Sequence, residues 1–258
     1  MDDFIFDGQA LSDFGYVIAS DGAIDETLTV SSMNYQLIKS AMSDISYKVA
    51  HEYPDNYSRT FMIIKNNCKD VESNGSLTDD DISTLTRWLV RKQFKWFKYV
   101  GTNVWFKVQN IVEKMYYGDD VIGLQITVNA NAPFGFTPEI TNTWEDKTHN
   151  IYAVSDEEGY ILPSMQIKMV DSGDLVIRNS RTTDFTQIDH VNSGEVITIY
   201  GEGLLQIESS DSSHIIADDF NFVFPKLVCE YNNNENIITT NLNCVITMTY
   251  RGRRKVGL

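Results

Sequence analysis

NVWFKVQNIV, Asn103 to Val112, alternates: Val104, Phe106 and Val108 fall on one side, with Trp105, Lys107 and Gln109 on the other. After a Gly118-Asp119-Asp120 turn, LQITVN repeats the period, setting Leu124, Ile126 and Val128 against Gln125, Thr127 and Asn129. A period of two with one apolar and one polar face predicts a hairpin, dry below and wet above. Further along, Met165, Ile167 and Met169 alternate with Gln166 and Lys168, and Ser172-Gly173-Asp174 turns the chain into Leu175–Ile177. Val196 to Tyr200 and Asn243 to Tyr250 continue the pattern, and Cys244, Ile246, Met248 and Tyr250 share a face. Short strands joined by polar turns predict β-sandwiches or barrels.

One segment departs from that rhythm. In SLTDDDISTLTRWLVRK, Ser76 to Lys92, Thr78 is an N-cap with Asp81 three residues on, a capping box written with Asp. Acids stand at the positive end of the helix dipole, and Arg87, Arg91 and Lys92 stand at its negative end. Ile82, Leu85, Trp88 and Leu89 share a face at helical spacing, which predicts a helix near 78–92 packed on a sheet. FTPEITNTWEDKTHN, Phe136 to Asn150, is polar and aperiodic and reads as a linker. The expected fold class is therefore mainly β: an α+β N-terminal domain, 1–138, with one helix, then an all-β domain, 139–258.

The 258 residues are 42% hydrophobic and carry formal net charge −15. That composition is globular, and the charge disfavours general binding to nucleic acid or anionic membranes. Cys68, Cys229 and Cys244 have neither disulfide nor zinc spacing and read as thiols buried in a reducing compartment. MDDFIFDG places acids where a secretion signal needs cations, and no apolar run reaches bilayer-spanning length, so a soluble, cytoplasmically made protein is expected.

No catalytic signature stands out: no nucleophile elbow, phosphate loop, dinucleotide fingerprint or zinc-protease helix. The histidines His51, His149, His190 and His214 are scattered and read as solvated, with no metal spacing. The carboxylate pairs Asp79–Asp81, Asp119–Asp120, Asp156–Glu158 and Asp218–Asp219 read as helix starts or hairpin tips rather than glycosidase pairs. No enzyme activity, cofactor or metal is expected.

From Arg87 to Lys114 the chain holds Arg87, Arg91, Lys92, Lys95, Lys98, Lys107 and Lys114 against the single acid Glu113, with Phe94, Trp96, Phe97 and Tyr99 interleaved. Basic plus aromatic is the composition of a single-strand platform. It is also that of an amphipathic strand with a solvated cationic face. The preferred reading is a strip that pairs with acids of an identical neighbour, a head-to-tail contact able to close a ring.

FIFDGQALSDFGYVI, Phe4 to Ile18, with Phe6, Gly8, Phe14 and Gly15, resembles the start of distal tail proteins of long-tailed bacteriophages. LQITVNANAPFGFTP, Leu124 to Pro138, resembles that family's domain junction, and YRGRRKV, Tyr250 to Val256, its basic end. GYILPSMQIKMVDSGDLVIRN, GEVITIYGEG, FNFVFPKL and CVITMTYR follow the strand order of its galectin-like domain. The resemblance implies a virion component of the tail tip, assembled in the bacterial cytoplasm. It implies a homohexameric ring, stacked rings included, between the tail tube protein and the tail-associated hub protein. Outer galectin-like β-sandwich domains would carry receptor-binding proteins, and DNA would pass through an acidic lumen without specific binding.

On that reading Arg87, Trp88, Arg91, Lys92, Lys95 and Lys98 are expected at contacts between copies or domains. Arg251, Arg253, Arg254 and Lys255 are expected to be held against an acidic surface on the N-terminal domain or a neighbour rather than to form a loose tail. The alternative function is a carbohydrate-binding host-recognition module. His190 and Asn192 are its candidate residues, although the galectin arginine is missing from HVNSG and the closest Trp, Trp144, lies in the expected linker.

Overall fold

The computed structural model describes residues 3–20, 34–39, 46–53, 56–66 and 75–255. They fall into two compact units, one reaching to Phe136 and one running from Thr137 to Arg254. The fold is mainly β, as expected.

The N-terminal unit contains strands β1 (Phe4–Phe6), β2 (Gln9–Ala10), β3 (Tyr16–Ser20), β4 (Asn34–Lys39), β5 (Ser46–Glu52) and β6 (Ser58–Lys65). Helix α1 (Asp79–Leu89) follows, then β7 (Lys95–Tyr99), β8 (Phe106–Tyr117), β9 (Asp120–Ala130) and β10 (Gly135–Phe136). Seven strands form one sheet in the order β2-β1-β7-β8-β9-β6-β3. The expected hairpin is β8–β9, with Phe106, Val108, Leu124, Ile126 and Val128 on its buried side.

The opening motif has a physical basis in this unit. Asp7 and Gly8 form the two-residue loop between β1 and β2 with φ of 50° and 82°, the left-handed pair that a tight hairpin requires. Phe4 and Phe14 lie parallel to the Trp88 indole, at 5.7 Å and 4.4 Å, and Phe6 meets its edge at 6.1 Å. The indole N–H donates to the Phe6 carbonyl at 3.1 Å, so the ring is buried with its polar group satisfied. The aromatic spacing of the first strand and the helical spacing of Leu85, Trp88 and Leu89 thus describe two sides of one core.

Helix α1 begins where the capping box predicts. The Thr78 hydroxyl accepts from the Asp81 backbone N–H at 3.2 Å, and the Asp81 carboxylate accepts from the Thr78 backbone N–H at 2.8 Å. The helix ends at Leu89, before Arg91 and Lys92, because Val90 is already extended. Burial pushes the Asp81 carboxyl up, but hydrogen bonds from Lys65, Thr78 and Tyr16 outweigh it and hold the group well below its ordinary 3.8. A depressed carboxylate contributes stability that is present above the unfolded value and lost as pH falls through the folded one. Asp81→Asn is therefore expected to cost about 1–2 kcal/mol at pH 7. In thermal melts, the gap between variant and wild type should close progressively below about pH 4; a gap that widens in acid would contradict this assignment.

The C-terminal unit is a two-sheet antiparallel sandwich. Its strands are β11 (Ile140–Trp144), β12 (Thr148–Tyr152), β13 (Gly159–Ile161), β14 (Ser164–Met169), β15 (Gly173–Asn179), β16 (Phe185–Val191), β17 (Val196–Tyr200) and β18 (Gln206–Ser209). After the short helix α2 (Ile216–Asp219) come β19 (Leu227–Cys229), β20 (Glu235–Thr240) and β21 (Cys244–Tyr250). One sheet runs β11-β21-β14-β17-β18 and the other β12-β20-β15-β16. The predicted dry face of β21 is buried in the core with Met165, Ile167 and Met169.

The expected linker is a correction. Residues 140–144 and 148–152 are strands β11 and β12, and Trp144 is a core residue stacked on His149 at 4.6 Å. Both strands lie at sheet edges and alternate only weakly, with Asn142 occupying a half-buried position. Their hydrophobic period is therefore faint in the sequence. Cys229 and Cys244 are free and buried, and Cys68 lies outside the described residues.

Candidate interaction surfaces

Of the basic and aromatic residues from Arg87 to Lys114, Trp96, Lys98, Trp105 and Lys107 form an ordered ladder on the outer face of β7 and the start of β8, whereas Phe97 and Tyr99 are buried in the core. Trp96 and Lys107 are register partners, and the lysine stands over the indole at 5.9 Å. Lys98 stands over Trp105 at 5.1 Å. These pairs cover the ring faces that stacked bases would need. At the helix end, Asp7 accepts Arg91 at 3.4 Å and Lys95 at 3.3 Å. Two of the cations expected to reach a neighbour thus have an acid on their own unit.

Arg87 and Lys92 are exposed, and neither has an ion pair among the described residues. Trp88, expected at a contact between copies or domains, is only 4% exposed and packs inside its own unit.

Another surface in this unit escaped the sequence reading. Among the described residues, strands β4 and β5 pair only with each other. Their side chains Tyr35, Leu37, Ile38, Tyr47 and Val49 are 56–60% exposed. Ile38 and Tyr47 are register partners, so an apolar pair sits across the hairpin in open solvent. A two-stranded hairpin is marginal alone, and apolar side chains exposed on both of its faces mark it as an interface element. The signal was present in NYQLIK and SYKVAHE as the period-two pairs Tyr35 and Leu37, and Tyr47 and Val49.

The basic C-terminus is built into the C-terminal unit. The Arg251 guanidinium donates to the Thr137 carbonyl at 3.0 Å and faces Glu139 at 3.9 Å. Gly252 exchanges hydrogen bonds with Thr137, and a Cβ placed there would lie 1.5 Å from the Val154 carbonyl oxygen. Arg253 pairs with Glu202 and Arg254 with Asp156, each at 3.0 Å. Lys255 is exposed. The arginines were expected against an acidic surface on the N-terminal domain or a neighbour; the acids they meet, Glu139, Glu202 and Asp156, belong instead to their own unit. Gly252→Ala is expected to destabilise this unit by more than about 2 kcal/mol, because backbone rather than a side-chain tip blocks the methyl group. Chemical denaturation checks this, and an unchanged midpoint would contradict it.

His190 and Asn192, the candidate sugar residues, each lie against a carboxylate. His190 sits at the end of β16 with φ of 57°, and its exposed ring has Nδ1 3.1 Å from Asp219 Oδ1. That carboxylate is the first cause raising the basicity of the ring. Asn192 donates its amide to Asp211 at 3.2 Å. One polar atom of each side chain is thus engaged by a carboxylate. The depression lined by Asn179, Thr186, Phe224 and Lys226 in the same unit has room for about one water, which is far too small for a sugar ring.

His214 is buried rather than solvated, with both ring nitrogens on carboxylates, at 2.6 Å to Glu195 and 3.1 Å to Asp219. No nitrogen is left to take a proton from a nucleophile. The described residues contain no group of three or more potential ligands suited to a metal ion. No described helix is long and apolar enough to cross a membrane.

Comparisons with known proteins agree with this architecture. The family model for a phage tail protein N-terminal domain matches residues 1–132, and that for a phage tail C-terminal domain matches residues 134–250. The chain belongs to this family of phage tail proteins, and as such it is a component of the virion.

Among solved structures, it is similar to the Dit protein (gp 19.1) of phage SPP1. That protein is described as a paradigm of the hub adsorption apparatus in phages infecting Gram-positive bacteria. The TM-score is 0.65 at 12% identity, covering 97% of this chain and 99% of that one. Chains of the activated phage p2 baseplate also match. With Ca the TM-score is 0.52 at 9% identity, over 99% of both chains. With Sr it is 0.54 at 9% identity, over 96% of this chain and 98% of that one. No curated protein matches the sequence. The resemblance carried by the opening motif, the junction and the basic end is met at the level of family and fold.

Proposed function

We propose that copies of this chain close into a ring at the tip of the phage tail, joining the tube to the hub protein and leaving a bore for DNA. The observation that carries this reading is the β4–β5 hairpin, whose apolar side chains are exposed and which pairs with no other strand among the described residues. A second copy is the occupant we assign to it. An arm on one flank that meets a different surface of the next copy makes a heterologous contact, and such contacts close into rings. Six copies is the number that the distal tail resemblance implies.

Arg87 and Lys92 remain exposed cations for the rim of that contact, where charge sets register and encounter rate more than affinity. Net charge −15 suits a bore that must not hold a polyanion. The N-terminal unit is the ring-forming part in this account, and the C-terminal sandwich is the outward, galectin-like part that holds other baseplate proteins. The role is structural rather than enzymatic.

Immunogold labelling of assembled virions tests the placement. Gold is expected at the end of the tail distal to the capsid, whereas label spread along the tube, or absent from mature particles, would overturn it.

A further inference from the structure

The C-terminal unit buries a charged chain that the tail function does not use. Glu195 lies just before β17, and His214 lies in the loop between β18 and α2. Their side chains are only 1% and 4% exposed. His214 Nδ1 is 2.6 Å from Glu195 Oε1, and Nε2 is 3.1 Å from Asp219 Oδ2. An ionised carboxylate only accepts, and a neutral imidazole has one N–H. Both contacts are therefore hydrogen bonds only when the ring carries two protons.

Glu195 is held firmly. Ser209 donates to it at 2.5 Å and the Asn192 backbone N–H at 2.8 Å. Burial pushes its carboxyl up, but these donors and His214 outweigh it and keep the group below its ordinary value, so the carboxylate is the favoured form. Asp219 is less constrained: it sits on a single helical turn, 27% exposed, and its other oxygen faces the exposed ring of His190. Asp211 faces the site from the end of β18, tied to Ser213 and Asn192, while Asp174 and Asp189 act on His190 from β15 and β16.

We propose that His214 is a proton-operated pin: as the imidazolium it clamps the segment Asp211–Asp219 onto Glu195 just before β17, and loss of one ring proton releases that segment. A neutral ring keeps Nδ1–H on the anchored Glu195 and turns a lone pair toward Asp219. Two acceptors face to face in a desolvated site repel, and the partly exposed single turn is the side that can move. The segment carries Ile215, which is exposed, so its release would remodel the surface of this unit.

The test follows two signals on the intact chain from about pH 5 to pH 9. Imidazole NMR reports the protonation of His214, and hydrogen exchange with mass spectrometry reports peptides covering 211–219, corrected for intrinsic exchange. The expected result is one shared transition, across which protection of the segment drops on the order of tenfold, the worth of one charge-assisted hydrogen bond. Asp219→Asn gives the neutral ring a donor to accept from, so the step should vanish while the segment stays protected. His190→Gln should leave the step in place, which separates His214 from the second histidine on Asp219.

A ring that stays doubly protonated across the whole range overturns the proposal, because the pin then has no proton to lose. The proposal is overturned by a ring already neutral at pH 5, by a ring that titrates while the segment stays protected, by a segment that opens at a different pH, or by a step that disappears in His190→Gln.

Discussion

Trp88→Ala is expected to lower the stability of the N-terminal unit by about 3–5 kcal/mol, the range for deleting a large buried aromatic. The reasons are local. The indole is stacked by Phe4 and Phe14, met at its edge by Phe6, and tied by its N–H to the Phe6 carbonyl. Alanine would leave a void between α1 and the first strand and would leave that carbonyl without its donor. Trp88→Phe keeps much of the stack and loses the hydrogen bond, so a smaller loss of about 1–2 kcal/mol is expected. Chemical denaturation followed by far-ultraviolet dichroism reads both variants. A loss below about 1 kcal/mol for alanine would mean that the ring is not the centre of this core.

The second large effect is on assembly. Ile38→Asp combined with Tyr47→Asp places two carboxylates opposite each other on the exposed hairpin. If that face is buried against the next copy, each change removes a contact of hot-spot size, and self-association should weaken on the order of a thousandfold. Both side chains are solvent-exposed within the single chain, so its melting temperature should stay within the range of ordinary surface changes. The contrast separates the two experiments, since Trp88→Ala loses the fold and the hairpin variant loses only the partner. A hairpin variant that assembles like wild type would remove this arm from the contact.

How far the sequence reaches differs by element, and the differences have physical causes. The β8–β9 hairpin and β21 were legible because one face of each is dry and the other wet, so the period survives in the residues. Helix α1 was legible at its start because the capping box is local, and less so at its end, where no glycine marks the stop and Val90 simply leaves the helix. Strands β11 and β12 were missed because edge strands need little apolar surface. The β4–β5 hairpin was missed because its apolar residues cover no core of their own.

Among the candidate residues, the limits are those of long-range pairing. The basic strip was visible, but its acid, Asp7, lies more than eighty residues away and occupies a turn. Trp88 was legible as a packing residue from its helical spacing, and its nomination for a contact ignored that same spacing. The terminal arginines were legible as fixed charges because they follow directly on a strong strand. Their acids, Glu139, Asp156 and Glu202, are each unremarkable in sequence. His214 looked solvated because nothing local announces Glu195 beneath it.

The central claim is that the chain is made to close on copies of itself. Native mass spectrometry of the purified full chain over a range of concentration and salt addresses it most directly. The account predicts one dominant species with a fixed number of copies, six by the distal tail resemblance, that dissociates when Ile38 and Tyr47 are charged. A single-chain mass at every concentration and salt level would contradict it, as would a ladder of open-ended oligomers.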